Sequence, residues 1–183
     1  MKCYIFLAEG FEDSEAVNSI DVLRRAKETV IIVSITGNRL VTSSHGITLQ
    51  ADVLFENCDF ADGDMLVLPG GMPGTLNLKA FAPLVELIED YNSRGKFIAA
   101  ICAAPSIFGE MGLLKGKRAT CFPGFEDKLL GAAYTASSAE FDGNVITGRS
   151  AGNAMLFGLK MVEALRGKQF ADDLAKQIVM PGN

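Results

Sequence analysis

Short apolar runs alternate with stretches of helical periodicity along almost the whole chain, and that alternation limits the folds open to it. Thr29 to Ile35 (TVIIVSI) is nearly all β-branched, and Met65 to Leu68 (MLVL) has no polar residue. Runs that are apolar on both faces suit strands covered on both sides, as in a parallel sheet. Lys2 to Ala8 and Lys96 to Ile101 read as two more such strands, with shorter ones at Arg118 to Phe122, Tyr134 to Ala136 and Val145 to Thr147. Arg39 to Ala51, after a turn at Thr36-Gly37-Asn38, alternates like a small antiparallel excursion.

Helices fill the intervals. Ala16, Val17, Ile20, Leu23 and Ala26 recur at helical spacing within Glu12 to Lys27, and acids crowd its first turn, where the helix dipole favours them. Phe81 to Arg94 is a second helix, with Gly95 placed as its left-handed stop. Ala103 to Met111 is a third, with Pro105 in its first turn. Ser150 is placed to cap a long helix to Arg166, with Ala154, Met155, Gly158, Leu159 and Val162 as its inner stripe, and Lys168 to Val179 is the last. Strands alternating with helices predict a mostly parallel sheet with helices on both faces. At 183 residues, with no repeat or linker, the chain is expected to form a single domain, 1–183.

Composition excludes several classes. A hydrophobic fraction of 49% rules out a disordered chain, and a net charge of −5 disfavours a nucleic-acid partner. No apolar run approaches a membrane span, and the N-terminal run ends at Glu9, so a cytoplasmic location is expected. Cys3, Cys58, Cys102 and Cys121 form no C-x-x-C pair and fit no zinc spacing, so no metal is expected.

In such folds the ligand site lies beyond the carboxyl ends of the strands. Phe97 to Ile101 runs into Cys102, and a helix follows. Ala100 and Ala104 flank Cys102 at two residues on either side, the positions where a nucleophile on a sharp strand-to-helix turn needs small neighbours. A helix N-terminus there would favour thiolate over thiol, and the Ala103 N–H would be free for an oxyanion. Taken alone, the run equally describes a buried cysteine at a strand end. Leu68-Pro69-Gly70-Gly71-Met72-Pro73-Gly74 also follows a buried strand. It matches neither nucleotide-binding glycine pattern, and reads as a tight turn or as backbone amides aimed at a ligand. Glu15 by itself is a first-turn acid.

Four segments together resemble the ThiJ/PfpI superfamily, in the subfamily of the Parkinson-disease-associated protein deglycase. They are Ala8 to Glu15, Val67 to Gly71, Ala99 to Pro105 and Thr147 to Ser150, with Val162 to Lys168 also fitting. The resemblance covers essentially the whole chain. It implies a flavodoxin-like three-layer α/β sandwich related to class I glutamine amidotransferase domains. It implies Cys102 as nucleophile, Glu15 as its acidic partner, and the N–H groups of Gly71 and Ala103 as oxyanion donors. Gly70 joins the pocket, and a homodimer with the first helix near the interface is expected.

Many relatives carry a histidine where Phe122 aligns here. The only histidine, His45, lies in the excursion and reads as a surface or interface residue near a partner's pocket. Arg25 matches a position near the same pocket, or is a solvated helix arginine. Cys121, beside Phe122, is a candidate resolving thiol. Two functions use these residues. One is a cofactor-free enzyme acting on a small aldehyde such as methylglyoxal, or on a glycated protein. The other is a redox sensor or redox-regulated chaperone built on an oxidisable thiol. Thiamine (thiazole monophosphate) biosynthesis lacks a phosphate site, and a cysteine peptidase lacks its histidine.

Overall fold

A computed structural model describes residues 1–181. The strands are β1 (Lys2–Leu7), β2 (Thr29–Ser34), β3 (Leu40–Thr42), β4 (Thr48–Gln50), β5 (Val53–Leu54), β6 (Met65–Leu68), β7 (Phe97–Ile101), β8 (Arg118–Ala119), β9 (Ala133–Tyr134), β10 (Ala139–Asp142) and β11 (Val145–Gly148). The helices are α1 (Asp13–Arg25), α2 (Gly74–Ala80), α3 (Ala82–Ser93), α4 (Pro105–Glu110), α5 (Ala154–Arg166) and α6 (Lys168–Gln177). Seven strands form one sheet in the order β10-β11-β7-β6-β1-β2-β5. All its pairs are parallel except the edge pair β10–β11. The chain thus forms the expected three-layer α/β sandwich around a mostly parallel sheet.

Strand alternation splits the core in two. Cys3, Ile5 and Leu7 of β1, Met65 and Val67 of β6, and Ala99 and Ile101 of β7 face α1, α5 and α6. Tyr4, Phe6, Leu66, Leu68, Ile98 and Ala100 face the other way, onto α3 and α4. Strand order reverses between β1 and β6, and their C-terminal ends open the crevice where doubly wound sheets bind ligands.

Several local expectations change. Val17 is 46% exposed rather than part of the inner stripe of α1. Ser150 caps nothing: it is extended, its hydroxyl donates to Asn153 Oδ1 at 2.9 Å, and a 3₁₀ turn (Ala151–Asn153) precedes α5. Phe157 and Met161, not Met155, are fully buried on α5. Gly143 and Asn144 form the hairpin loop joining the unforeseen β10 to β11. Gly95 does end α3, with φ +67°. Among the described residues, no helix is long and apolar enough to cross a membrane.

Candidate active site

Residue 102 departs from the strand pattern. Simple continuation of β7 would send its side chain to the Ala100 face, but Cys102 adopts φ +65°. Its side chain instead packs on the opposite cluster, the one that holds α1. Hydrogen bonds clamp this backbone on both sides: Cys102 N–H donates to Gly148 C=O at 3.0 Å, and Phe122 N–H donates to Cys102 C=O at 2.8 Å. A non-glycine residue in this region costs roughly 1–2 kcal/mol, so the surrounding structure must hold it there.

Glu15, in the first turn of α1, is fully buried and within hydrogen-bonding reach of Cys102. Three bonds fix its helix end against the loop after β6. Gly70 N–H donates to Glu15 Oε2 at 2.8 Å. Glu15 N–H donates to Glu12 Oε2 at 2.6 Å. Glu12 N–H donates to Gly70 C=O at 2.9 Å, closing the ring. A Cβ on Gly70 would lie 2.7 Å from both Cys102 Cβ and Glu15 Oε2, so only glycine fits between them. The backbone amides of Ala103 and Gly71 both face the sulfur.

Burial pushes the Glu15 carboxyl up to about 7, against the opposing influence of the neighbouring Cys102 thiol and of the Gly70 amide. Burial, then the charge of Glu15, pushes the Cys102 thiol up to about 12. The expected thiolate-favouring effect of a helix N-terminus is therefore outweighed. The following helix is short and begins three residues later, at Pro105. The Glu15 contribution vanishes once that carboxyl is protonated, and its O–H can then donate to the sulfur. The pair thus accepts or releases a proton near neutral pH.

The remaining candidates separate. Cys121 is buried in the second cluster, on the face of the sheet opposite the Cys102 side chain, which argues against a resolving role. Burial and then the charge of Glu126 push its thiol up to about 11. Arg25 pairs with Asp21 at 2.7 Å on the last turn of α1. It lies ten residues, about 15 Å of helix, from Glu15, so within one chain it stays away from the thiol. His45 Nδ1 sits 2.5 Å from Asp13 Oδ2, so it engages the helix end that carries Glu15 rather than the sulfur. Burial pushes Asp13 up, but bonds from Ser43 and His45 hold it below its ordinary value. Glu12, Asp13 and His45 are the described residues whose ligand atoms lie close enough to hold a cation, within 4.8 Å of one another. Glu12 is already committed to capping α1.

The capping role of Glu12 went unread because Asp13 and Ser14, better cap formers, stand beside it. The Gly148 carbonyl that receives Cys102 had no sequence signal, since that contact comes from strand pairing.

The model of the DJ-1/PfpI family matches residues 1–164. Protein DJ-1 homolog B of Arabidopsis thaliana is 40% identical over 100% of this chain and 42% of its own length. The chain therefore spans about half the length of that relative. A deglycase of Pyrococcus abyssi is 32% identical over 91% of this chain and 100% of its own. The solved structure of oxidized Toxoplasma gondii DJ-1 superposes with a TM-score of 0.93 at 31% identity, covering 98% of each chain.

Proposed function

The chain belongs to the DJ-1/PfpI family, and on that premise we propose that it is a cysteine-dependent, cofactor-free enzyme of the glyoxalase III or protein deglycase type. The observation that carries this reading is a buried carboxyl, pushed up to about 7, against a thiol flanked by two backbone amides. A group with that proton affinity serves as acid and base in turn at neutral pH.

Methylglyoxal illustrates the chemistry. Sγ of Cys102 adds to the aldehyde carbon, forming a C–S bond while the oxygen takes a proton. The amides of Gly71 and Ala103 stabilise the charge developing on that oxygen. Glu15 then removes the proton from the former aldehyde carbon and returns it to the neighbouring carbonyl carbon, while the hydroxyl proton on the first oxygen passes to the second, giving a thioester with a neighbouring hydroxyl. One carbon is oxidised and the other reduced, so no outside oxidant is consumed. Water cleaves the thioester, releasing lactate and the free thiol. Glycated proteins carry the same two-carbon unit, which brings in the deglycase name of the Pyrococcus relative.

The proposal includes a cytoplasmic homodimer. Val17 of α1 and Ile47 beside β4 are exposed apolar side chains, which suits a partner on that side. The test is lactate formation from methylglyoxal by reduced, metal-free protein beside Cys102→Ser. Lactate from the wild type alone supports the reading, and lactate from neither overturns it. The second reading, redox sensing, draws on the oxidized state of the Toxoplasma relative. It predicts stoichiometric oxidation of Cys102 by peroxide without aldehyde turnover.

A further inference from the structure

Two hydrogen bonds hold the backbone of Cys102 at φ +65°, one to Gly148 C=O and one from Phe122 N–H. The first partner ends β11, a strand of the main sheet. The second lies outside that sheet. Phe122 stands three residues beyond β8, which belongs to a separate two-stranded sheet with β9. The segment that carries this donor therefore needs its own tie to the main sheet.

Thr147 of β11 makes that tie. Its hydroxyl accepts Thr120 N–H at 3.0 Å, and Thr120 Oγ1 donates to Ser137 C=O at 2.8 Å. Thr120 is fully buried and Thr147 is 1% exposed, so a Thr120 N–H without this acceptor would carry the full cost of desolvation. Thr147 also directly precedes Gly148. Both clamps on Cys102 thus converge on one residue, the first through a peptide bond and the second through a hydroxyl. In the sheet Thr147 pairs with Ala100, whose side chain faces the cluster opposite the thiol. Paired residues share a face of the sheet, so the Thr147 hydroxyl touches neither sulfur nor substrate.

We propose that Thr147 is a positioning residue of the thiol centre: its hydroxyl moors the segment from Thr120 to Phe122, so that Phe122 N–H keeps the Cys102 turn closed and the sulfur against Glu15. Its part in turnover rests on the aldehyde chemistry proposed above, whereas its hold on the thiol does not. Without the hydroxyl, Thr120 N–H turns to another acceptor and Phe122 moves with it. Cys102 then relaxes from positive φ, which a non-glycine residue keeps only under constraint, and the sulfur leaves the carboxyl.

The experiment compares Thr147→Val, which keeps the shape without the hydroxyl, and Thr147→Ser, which keeps the hydroxyl. The readout is the rate of iodoacetamide alkylation of the Cys102 peptide from about pH 6 to pH 9. In the wild type the carboxyl, at about 7, titrates together with the thiol, so the rate should level off above that pH. A thiol parted from Glu15 goes on gaining thiolate as pH rises. The increase from pH 7 to pH 8.5 should therefore be about tenfold larger in Thr147→Val than in the wild type, and Thr147→Ser should follow the wild type. Where aldehyde is consumed, kcat of Thr147→Val should also fall about tenfold with KM little changed.

A Thr147→Val profile that levels off like the wild type overturns the proposal, and so does a Thr147→Ser profile that climbs like that of Thr147→Val. A wild-type rate that itself climbs steadily through pH 7 overturns it as well. Should no protein consume aldehyde, the reaction fails and the alkylation profiles decide alone. Should Thr147→Val not fold, Thr120→Val decides. It removes the bond to Ser137 C=O and slackens the same segment, and a profile that still levels off rejects the proposal.

Discussion

The amide of Gly70 donates to Glu15 Oε2 at 2.8 Å, while Glu15 Oε1 is buried and has no hydrogen-bond partner among the described residues. One oxygen is thus satisfied by backbone, and the other is left for a proton. Burial sets the direction, raising this carboxyl from 4.5 to about 7. Because the folded-state value lies above the unfolded one, the contribution to stability is full below about pH 4.5 and lost as pH rises through about 7. At about 1.4 kcal/mol per pH unit, the whole window is worth about 3 kcal/mol. Urea midpoints of the wild type should fall between pH 5 and pH 8, and those of Glu15→Gln should stay nearly level. Parallel profiles for the two proteins would refute the assignment.

Gly70→Ala tests the close approach directly. Its Cβ would meet Cys102 Cβ and Glu15 Oε2 at 2.7 Å, and Ile101 C=O at 2.9 Å. Cys102 Cβ and Ile101 C=O are held by the backbone, and Glu15 Oε2 is buried and pinned by the Gly70 amide, so thiol and carboxyl must move apart. A loss of about 2 kcal/mol in stability is expected from overpacking. Aldehyde turnover should drop about a hundredfold from misplacement of the reacting pair. Calorimetry and lactate assays on one preparation measure both, and full activity would contradict the geometry.

The sheet was legible because β1, β2, β6 and β7 are apolar on both faces, a pattern few other structures produce. Helix α2 was not, since its seven residues begin at a glycine and run straight into α3. Strand β10 escaped because its four residues, Ala-Glu-Phe-Asp, are only half-buried at the sheet edge. The site divides the same way. The small residues around Cys102 mark it as a candidate, although the same run equally describes a buried cysteine at a strand end. Glu15 meets it only because the end of β6 carries Gly70 between them, a tertiary relation that no local spacing encodes and that only the family resemblance supplied.

Cys102 holds φ +65°, and substitutions there should separate chemistry from backbone strain. Serine is similar in size and keeps the loop. Cys102→Ser should abolish aldehyde consumption and shift stability by less than about 1 kcal/mol. Valine is β-branched and poorly tolerated at positive φ, so Cys102→Val should cost about 2–3 kcal/mol. Differential scanning calorimetry of the two variants reads this directly. Equal stability losses would mean that the turn is not held in this conformation.

Phe122 offers the last test, because its backbone and side chain do different things. Its N–H fixes the Cys102 carbonyl at 2.8 Å, while the residue as a whole is 43% exposed. Phe122→His keeps the first contact and removes little buried surface, so stability should change by less than about 0.5 kcal/mol. An imidazolium there would oppose the charge of Glu15 and favour the thiolate. The wild-type thiol is pushed up to about 12 by burial and by Glu15, so its alkylation by iodoacetamide should be slow at pH 6–7. In Phe122→His the reaction should quicken at least about tenfold over that range, and Glu15→Gln should quicken it in the wild-type background as well. An unchanged alkylation profile in Phe122→His, with stability intact, would mean that the side chain at 122 points away from the sulfur.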